Sequence, residues 1–476
     1  MVKLSNRYCF SLPRLSFLVL LFLQVKYFRF RLLFFCLFNI LAWVLYIALV
    51  AKFACQKQQG VKNVNQLNLA LITIGAVVLV LGMLSRIIDR SYLTMPLLAF
   101  IVGVVLGPIG SGLLTPDSWG DSYKLLEECA RVTIGISLMA IALRIPKHYL
   151  FDHRRSFILL LGVGMLAMFL MSSLMAHWIL GLPVLMALLI GGAICPTDPV
   201  VASSIVTGGL ARQHLPDRFR YGLSTESAIN DGLAYPLVLL PVLLLLPSES
   251  SPWLTWGLRV ILWEIGGAVA LGALLGWVVG KALLVAEHKK SLDHSAFLAT
   301  TLALTLLTLG VGKFLATDSV LAVFVAGMVF SQMVGGSDRA KENKIQETVN
   351  LFFTLPIFIF LGLMLPVDSW FELGWEGIWF TIGILAIRRI PVILALSPFL
   401  PIWNNWKLAL MAGHFGPIGI SALFYAMVIL DKTGNNIAWT VGSLVITSSL
   451  IIHGMTAAPL ARLWAKVDEG QDESEA

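Results

Sequence analysis

The sequence predicts an all-α polytopic membrane protein, and three observations carry this prediction. The 476 residues are 58% hydrophobic and only 13% charged, whereas soluble proteins contain about 25% charged residues. Apolar runs of roughly 20 residues, each long enough to cross a bilayer as a helix, recur along the whole chain. Basic residues are concentrated in alternate short loops between these runs, as with Arg154-Arg155 and Lys289-Lys290.

From residue 65 onward, the apolar runs predict about thirteen transmembrane helices. They cover 67–86, 93–113, 125–144, 156–180, 183–208, 219–246, 255–285, 295–314, 317–334, 347–366, 375–400, 405–430 and 436–462. Loops after odd-numbered spans contain most of the Lys and Arg residues of the connecting segments. Because positively charged loops stay in the cytoplasm, we predict a multi-pass protein of the cell membrane (plasma or inner) with a cytoplasmic C-terminus.

Three regions follow from this pattern. Residues 1–62 form an N-terminal extension that we interpret as an extra transmembrane helix, with a signal-like segment and a translation start near residue 63 as alternatives. Residues 63–466 form the transmembrane domain. Residues 467–476 form a short acidic tail that we predict to be cytoplasmic.

Charge and cysteine usage exclude several classes of function. The net charge of +7 comes from Lys and Arg scattered over loops, not from a basic patch that would bind nucleic acid. The five cysteines lack the spacing of a metal site or a disulfide framework. We therefore predict no nucleic-acid partner and no cofactor, and the lipid bilayer is the expected environment.

Two spans contain prolines where a helix would break. Pro196 and Pro199 interrupt the fifth span, and Gly416-Pro417 interrupts the twelfth. Proline inside a helix removes a hydrogen bond, and unwound backbone at membrane depth is tolerated only when it is buried in protein or lines a cavity. Ordinary proline kinks are the alternative. However, the breaks lie seven spans apart and so have opposite orientations, which predicts an inverted-repeat transporter with its site at the two breaks.

The strongly polar residues of the apolar region lie near these breaks. Thr197 and Asp198 lie between the two prolines of the fifth span, and Ser227 and Asp231 are four apart on one face of the sixth. Acidic groups inside a membrane are costly and usually functional. We predict that Asp198, Ser227 and Asp231 converge with the Thr197 carbonyl on a small hard cation, which prefers oxygen ligands.

Glu226 requires a different partner, because it points well away from Asp231 on the sixth span. The eleventh span contains Arg388 and Arg389 within the apolar stretch Ile384–Leu400, and an arginine in mid-membrane is normally paired. We predict that Glu226 pairs with Arg389 and supports the site without moving the ion.

With these residues identified, the sequence resembles the sodium/proton exchangers, the monovalent cation:proton antiporters of the first class. Thr197-Asp198-Pro199 matches the fifth-span signature of that family. Residues 226–231 match its sixth-span signature, glutamate-serine-x-x-asparagine-aspartate. The resemblance covers residues 65–465 and lies near the bacterial and fungal plasma-membrane branch, whose twelfth-span sequence is similar to 414–419.

The resemblance implies an inverted-repeat antiporter fold with two broken, crossing helices and a homodimeric assembly. It implies that Asp231 binds cation and proton alternately, and that three residues ligate or shape the site: Thr197, Asp198 and Ser227. It also implies the pairing of Glu226 with Arg389.

Two positions refine these expectations. Asn230 lies where the electrogenic class has a second aspartate, which implies one cation per proton and electroneutral exchange. Ile418 replaces an arginine found in many relatives, and we expect the twelfth-span break to lack that positive charge.

The expected function is therefore Na+ or Li+ exchange for H+ at one intramembrane carboxylate by alternating access, and the protein is expected to be a transporter, not an enzyme. A K+/H+ antiporter of the same fold is the main alternative, because oxygen ligands alone do not distinguish the alkali cations. A channel would not require two broken helices. An intramembrane aspartyl protease would place a glycine-x-glycine motif before its aspartate, whereas Ile229-Asn230 precede Asp231.

Overall fold

The computed structural model describes residues 62–88, 91, 93–206, 215–246, 251–288, 296–334 and 339–475. All regular secondary structure in these ranges is helical. The chain divides into two compact units, Met1–Val80 and Leu81–Ala476, which are described separately. The predicted N-terminal extension lies outside the described residues, apart from Lys62.

The described helices follow the predicted spans in order. They are α1 (Lys62–Met83), α2 (Met95–Leu106), α3 (Ser122–Arg144), α4 (Arg154–Ile179), α5 (Val184–Ile194), α6 (Pro199–Val206), α7 (Asp217–Leu245), α8 (Pro252–Ala286), α9 (Ala296–Phe314), α10 (Ser319–Met333), α11 (Arg339–Leu363), α12 (Gly374–Ile387), α13 (Ile390–Leu396), α14 (Trp406–His414), α15 (Ile420–Thr433) and α16 (Ile437–Glu475). Among the described residues, eight helical segments are long and apolar enough to cross a membrane, and three shorter apolar helices accompany them. The number of helices that cross the bilayer stays a prediction.

Helices are the expected elements because a backbone inside lipid must satisfy its own hydrogen bonds. Several helices begin at a polar residue whose side chain accepts a backbone N–H of the first turn. Asp121 accepts the N–H of Lys124 at 3.0 Å before α3, and Asp318 accepts the N–H of Val320 at 3.0 Å before α10. A similar cap precedes α14, where the Asn405 side chain accepts the backbone N–H of Lys407.

Both predicted helix breaks are present. In the fifth span, α5 ends at Ile194 and α6 begins at Pro199. In the twelfth span, α14 ends at His414 and α15 begins at Ile420. The two spans therefore each consist of two half-helices joined by a short non-helical segment.

A third interruption was not predicted. The eleventh span, expected to be one helix over 375–400, is divided at Arg388-Arg389 into α12 and α13. Pro391 lies in the first turn of α13 and has no N–H to continue the hydrogen-bond ladder. This proline was the available signal, but the long apolar stretch around it favoured a continuous helix.

Helix α7 holds the central position in the second unit. It packs against the half-helices α5, α6 and α15, and also against α8 and α10. The broken fifth span is the most buried of the eight long segments. In its most apolar stretch of 18 residues, 78% of the residues are buried, compared with 28% in α8. The polar residues of the breaks and of the middle of α7 are buried in protein: Thr197, Asp198, Glu226, Ser227, Asn230 and Asp231.

The predicted boundary between the transmembrane domain and the C-terminal tail, at residues 466–467, does not coincide with a helix end. Helix α16 continues to Glu475, so the predicted tail 467–476 is not marked by a change of secondary structure at residue 467.

Candidate functional site

The two helix breaks contact each other directly. The backbone N–H of Asp198, in the first break, donates to the carbonyl oxygen of Pro417 in the second at 2.8 Å. The breaks therefore form one structural unit, as the inverted-repeat interpretation requires.

Asp198 caps the second half-helix of both broken spans. Its Oδ1 atom accepts the N–H groups of Val200 at 2.6 Å and Val201 at 3.2 Å, in the first turn of α6. Its Oδ2 atom accepts the N–H of Ile420, the first residue of α15. A carboxylate is favourable at a helix N-terminus, where the backbone dipoles leave partial positive charge. This geometry favours a capping role, and the predicted role of Asp198 as a cation ligand stays a prediction.

Arg388 donates hydrogen bonds to backbone carbonyl oxygens at or after the end of the first half-helix of each broken span. Its Nη2 atom donates to the carbonyl oxygen of Gly416 at 2.7 Å. Its Nη1 atom donates to the carbonyl oxygens at the end of the first half-helix, those of Ile194, Cys195 and Pro196. Unpaired carbonyls leave partial negative charge at a helix C-terminus, so the guanidinium compensates both ends.

The expectation about Ile418 concerned the side chain at that position. Because Ile418 stands where many relatives carry arginine, the second break lacks that positive charge. A different cationic side chain, Arg388 at the junction of α12 and α13, donates to the carbonyl oxygen of Gly416 in this break. The Ile418 N–H, in turn, donates to Ser449 Oγ of α16 at 2.8 Å.

Glu226 and Arg389 form the predicted ion pair. Arg389 donates from Nη1 to Glu226 Oε1 at 2.8 Å and from Nη2 to Oε2 at 2.9 Å. Both side chains are buried, with 1% and 3% of their surface exposed. The remaining Nε–H of Arg389 donates to the carbonyl oxygen of Ala412 at 3.0 Å. This bidentate pair ties α7 to the eleventh span and to the end of α14.

Asn230 connects the same pair to the first break. Its Nδ2 atom donates to Thr197 Oγ1 at 2.7 Å and to Glu226 Oε1 at 2.9 Å, and its Oδ1 atom accepts the N–H of Thr197 at 3.2 Å. Thr197 Oγ1 also lies 3.1 Å from Ser227 Oγ. A carboxylate at position 230 could not donate to Glu226, so this network requires the amide.

We call the region where the breaks 195–198 and 415–419 meet beside α7 the crossing. Asp231 differs from the other carboxylates of the crossing. It is 1% exposed, and neither carboxylate oxygen has a hydrogen-bond partner among the described residues. Its backbone carbonyl oxygen accepts the phenol O–H of Tyr425 from α15. The Asp231 carboxylate interacts electrostatically with Asp198 of the first break and with the Ser421 side chain of α15. A buried carboxylate without a partner is the group here that a cation or a proton can occupy.

The predicted ligand set is thus brought to one crossing but divides into two parts. Thr197 and Ser227 are bonded to each other and join the network of Glu226 and Asn230. Asp231 lies on the side of α7 that meets α15.

Sequence reasoning missed three residues of this crossing. Arg388 was named without a role, and Ser421 and Tyr425 were not considered. Their signal was the pair of hydroxyl residues four apart within the apolar stretch 420–430, directly after the second break.

Gly416 is required where the two breaks and Arg389 meet. A Cβ atom at this position would lie 3.0 Å from Thr197 Cγ2 and closer still to the Arg389 side chain. That side chain is held by Glu226 and cannot move away. We expect Gly416→Ala to lower the free energy of unfolding by about 1–3 kcal/mol through overpacking.

Thermal unfolding in detergent checks this prediction. The matched control is Gly310→Ala in α9, where a Cβ atom meets nothing within 4 Å and alanine should be neutral or slightly stabilising. Equal stability of the Gly416 variant and the control would contradict the proposed close approach.

Comparison with known proteins identifies the family of this chain. The sequence profile of a family described as sodium/hydrogen exchanger, transmembrane, matches residues 75–463. A probable Na+/H+ antiporter of Schizosaccharomyces pombe is 30% identical over 426 residues, covering 83% of this chain and 56% of its own. Na+/H+ antiporter 2 of Zygosaccharomyces rouxii is 31% identical over 402 residues, covering 78% and 50%. The chain thus spans about half the length of these two relatives.

A further relative and a solved structure match along more of their length. A Na+/H+ antiporter of S. pombe is 30% identical over 433 residues, which cover 85% of this chain and 92% of the relative. The sodium proton antiporter MjNhaP1 from Methanocaldococcus jannaschii superimposes with a TM-score of 0.67 at 20% identity, covering 83% of this chain and 98% of its own. This likeness establishes the fold, and the family profile and the fungal relatives establish the family. The chain is a multi-pass membrane protein that belongs to the sodium/hydrogen exchanger family of transporters.

Proposed function

We propose that this protein exchanges Na+ or Li+ for H+ across the cell membrane, with Asp231 as the carboxylate that binds both. The observation that carries the proposal is the unpartnered, buried Asp231 carboxylate at the contact of two broken helices. The names of the fungal relatives, all Na+/H+ antiporters, support sodium as the cation.

The charges at the crossing support exchange of one cation for one proton. Of the three carboxylates described there, Glu226 is paired with Arg389, and Asp198 accepts three backbone N–H groups. Asp231 therefore provides one negative charge that one cation or one proton can neutralise. Cation and proton exclude each other at such a site, and transport is electroneutral.

Either occupant also makes movement possible. An isolated charge buried in a low-dielectric region is strongly unfavourable, so the empty, ionised site resists transfer through the hydrophobic barrier. A bound cation or proton removes most of that charge. We propose that the loaded crossing moves between the two membrane faces while the ion pair of Glu226 and Arg389 holds its parts together, as alternating access requires.

Around Asp231, the cation needs further oxygen ligands. Ser227 precedes Asp231 by about one turn of α7, and the first break contributes the Thr197 carbonyl and the Asp198 carboxylate as oxygen donors. We propose these as the remaining ligands, with Asn230, Glu226 and Arg389 as the support.

We further propose a homodimer embedded in the lipid bilayer, with the C-terminus in the cytoplasm. The exposed apolar surface supports the lipid environment and a contact with another subunit. On α8, four apolar side chains are each more than half exposed: Leu258, Leu262, Trp263 and Leu274. Such a surface is stable only against lipid or another subunit. The basic loops that follow odd-numbered spans support the cytoplasmic C-terminus. Family membership favours transport over the protease alternative.

Proton flux in proteoliposomes tests the proposed function. A pH-sensitive dye inside the vesicles should report rapid, saturable alkalinisation or acidification when Na+ or Li+ is added on one side, with a smaller response to K+. Empty liposomes are the control. A larger response to K+ would establish the K+/H+ alternative, and no response to any alkali cation across pH 5–9 would overturn the antiporter proposal.

The same vesicles test electroneutrality. If one cation exchanges for one proton, clamping the membrane potential with potassium and valinomycin should leave the Na+-driven rate unchanged. A rate that follows the imposed potential would contradict the one-to-one stoichiometry.

A further inference from the structure

Ser421 is a buried hydroxyl group without a hydrogen-bond partner among the described residues. It lies in the first turn of α15 with 1% of its surface exposed. A serine inside a helix ordinarily donates to the carbonyl four residues earlier, which here is Pro417. Pro417 lies in the break before α15, where its carbonyl accepts the N–H of Asp198. Ser421 Oγ makes no hydrogen bond to it or to any other described residue.

The contacts on both sides of Ser421 fix its position. Ile420 donates its N–H to Asp198, and Tyr425 donates its O–H to the backbone carbonyl of Asp231. Tyr425 follows Ser421 by four residues and therefore lies on the same face of α15. Ser421 is thus held between the two aspartates, with its side chain beside the Asp231 carboxylate.

Two unpartnered groups therefore face each other in a buried region. Leaving a buried hydroxyl unsatisfied costs about 1–3 kcal/mol, and an unpaired carboxylate costs more. A small cation between them would satisfy both, because a hydroxyl oxygen is a neutral ligand for a hard cation. A proton on Asp231 would also remove the buried charge, and the carboxyl O–H could then donate to Ser421 Oγ.

We propose that the Ser421 hydroxyl is a ligand of the ion exchanged at Asp231, contributed by the second broken helix. The proposal rests on the proposed function and extends it. The site then includes one residue from the half-helix α15 in addition to those of α5–α7, so ion occupancy connects the two repeats. Ser421 is a determinant of cation affinity, whereas Asp231 supplies the charge.

Ser421→Ala in the full-length chain tests the proposal. Removing one neutral ligand should raise the KM for Na+ by about five- to tenfold while the maximal rate stays within about twofold of wild type, as expected for a loss of one buried hydrogen-bonding group. Ser421→Thr keeps the hydroxyl and should stay close to the wild-type KM. Both are measured as Na+-driven proton flux in proteoliposomes.

The matched control is Ser172→Ala in α4. Ser172 is also fully buried, but its Oγ donates to the Met168 carbonyl of its own helix at 2.8 Å. We expect an unchanged KM for Na+. A second readout does not depend on transport: the Na+-induced rise in thermal stability in detergent should require about five- to tenfold more Na+ in Ser421→Ala.

The outcomes separate the two proposals. An unchanged KM and an unchanged Na+ requirement in Ser421→Ala, or a loss of maximal rate alone, would overturn the role of Ser421 and leave the antiporter proposal intact. Absence of exchange by the wild-type protein would overturn the antiporter proposal itself.

Discussion

Replacing Asp231 by asparagine should abolish cation-driven proton movement. Asparagine has nearly the same shape, but it can neither exchange a proton at physiological pH nor neutralise a bound cation. The other two carboxylates described at the crossing cannot replace it, because Asp198 accepts three backbone N–H groups and Glu226 is paired with Arg389. We expect the exchange rate to fall at least about 100-fold, which corresponds to roughly 3 kcal/mol of lost ion stabilisation, and to reach the background of empty liposomes.

The same helix offers a matched control for this experiment. Asp217 lies in the first turn of α7, its side chain is 70% exposed, and it pairs with Arg220. Asp217→Asn removes the same charge from the same helix and should keep the wild-type rate, since an exposed pair contributes little. Robust Na+-driven proton flux by the Asp231 variant would eliminate the proposed exchange carboxylate.

Breaking the pair of Glu226 and Arg389 should have the largest effect on folding. Arg389→Gln leaves the Glu226 carboxylate buried without its cation, and such losses typically destabilise proteins by about 3–5 kcal/mol. The guanidinium also binds the end of α14 through Ala412, so the second break should lose support at the same time. We expect a sharp loss of monodisperse protein in detergent and a lower temperature of unfolding.

A double-mutant cycle distinguishes the pair from its separate parts. Glu226→Gln combined with Arg389→Gln removes both charges and should recover part of the stability lost in Arg389→Gln alone. The surface control is Lys124→Gln, because Lys124 and Asp431 are 62% and 58% exposed at 4.0 Å and should contribute no more than about 1 kcal/mol. Strictly additive losses in the cycle would show that the two side chains do not stabilise each other.

The sequence alone predicts the spans and the first two helix breaks because their causes are local. Apolar length specifies a membrane helix, and the prolines near Asp198 and Gly416 specify where two of these helices unwind. The contact between Glu226 and Arg389 was also predictable, because a buried charge requires a partner and few were available.

The sequence does not predict how the polar groups divide at the crossing. Spacing along α7 places Ser227 and Asp231 on one face, but it does not reveal that Thr197 binds Ser227 and Asn230. Nor does it reveal that Asp198 accepts hydrogen bonds from backbone N–H groups, or that Arg388 donates to backbone carbonyl oxygens. These partners become available only when two helices unwind against each other. The interruption at Arg388-Arg389 was not predicted, because Pro391 lies within a long apolar run that is typical of a continuous membrane helix.

The central claim is that cation and proton compete for the same carboxylate, and proton release on cation binding tests it most directly. Purified protein in weakly buffered detergent solution is titrated with Na+ at a pH where Asp231 is protonated, and a pH dye counts the protons released. We predict close to one proton released per Na+ bound in the wild-type protein, with none in Asp231→Asn. Na+ binding without proton release, or equal release from the Asp231 variant, would contradict this account.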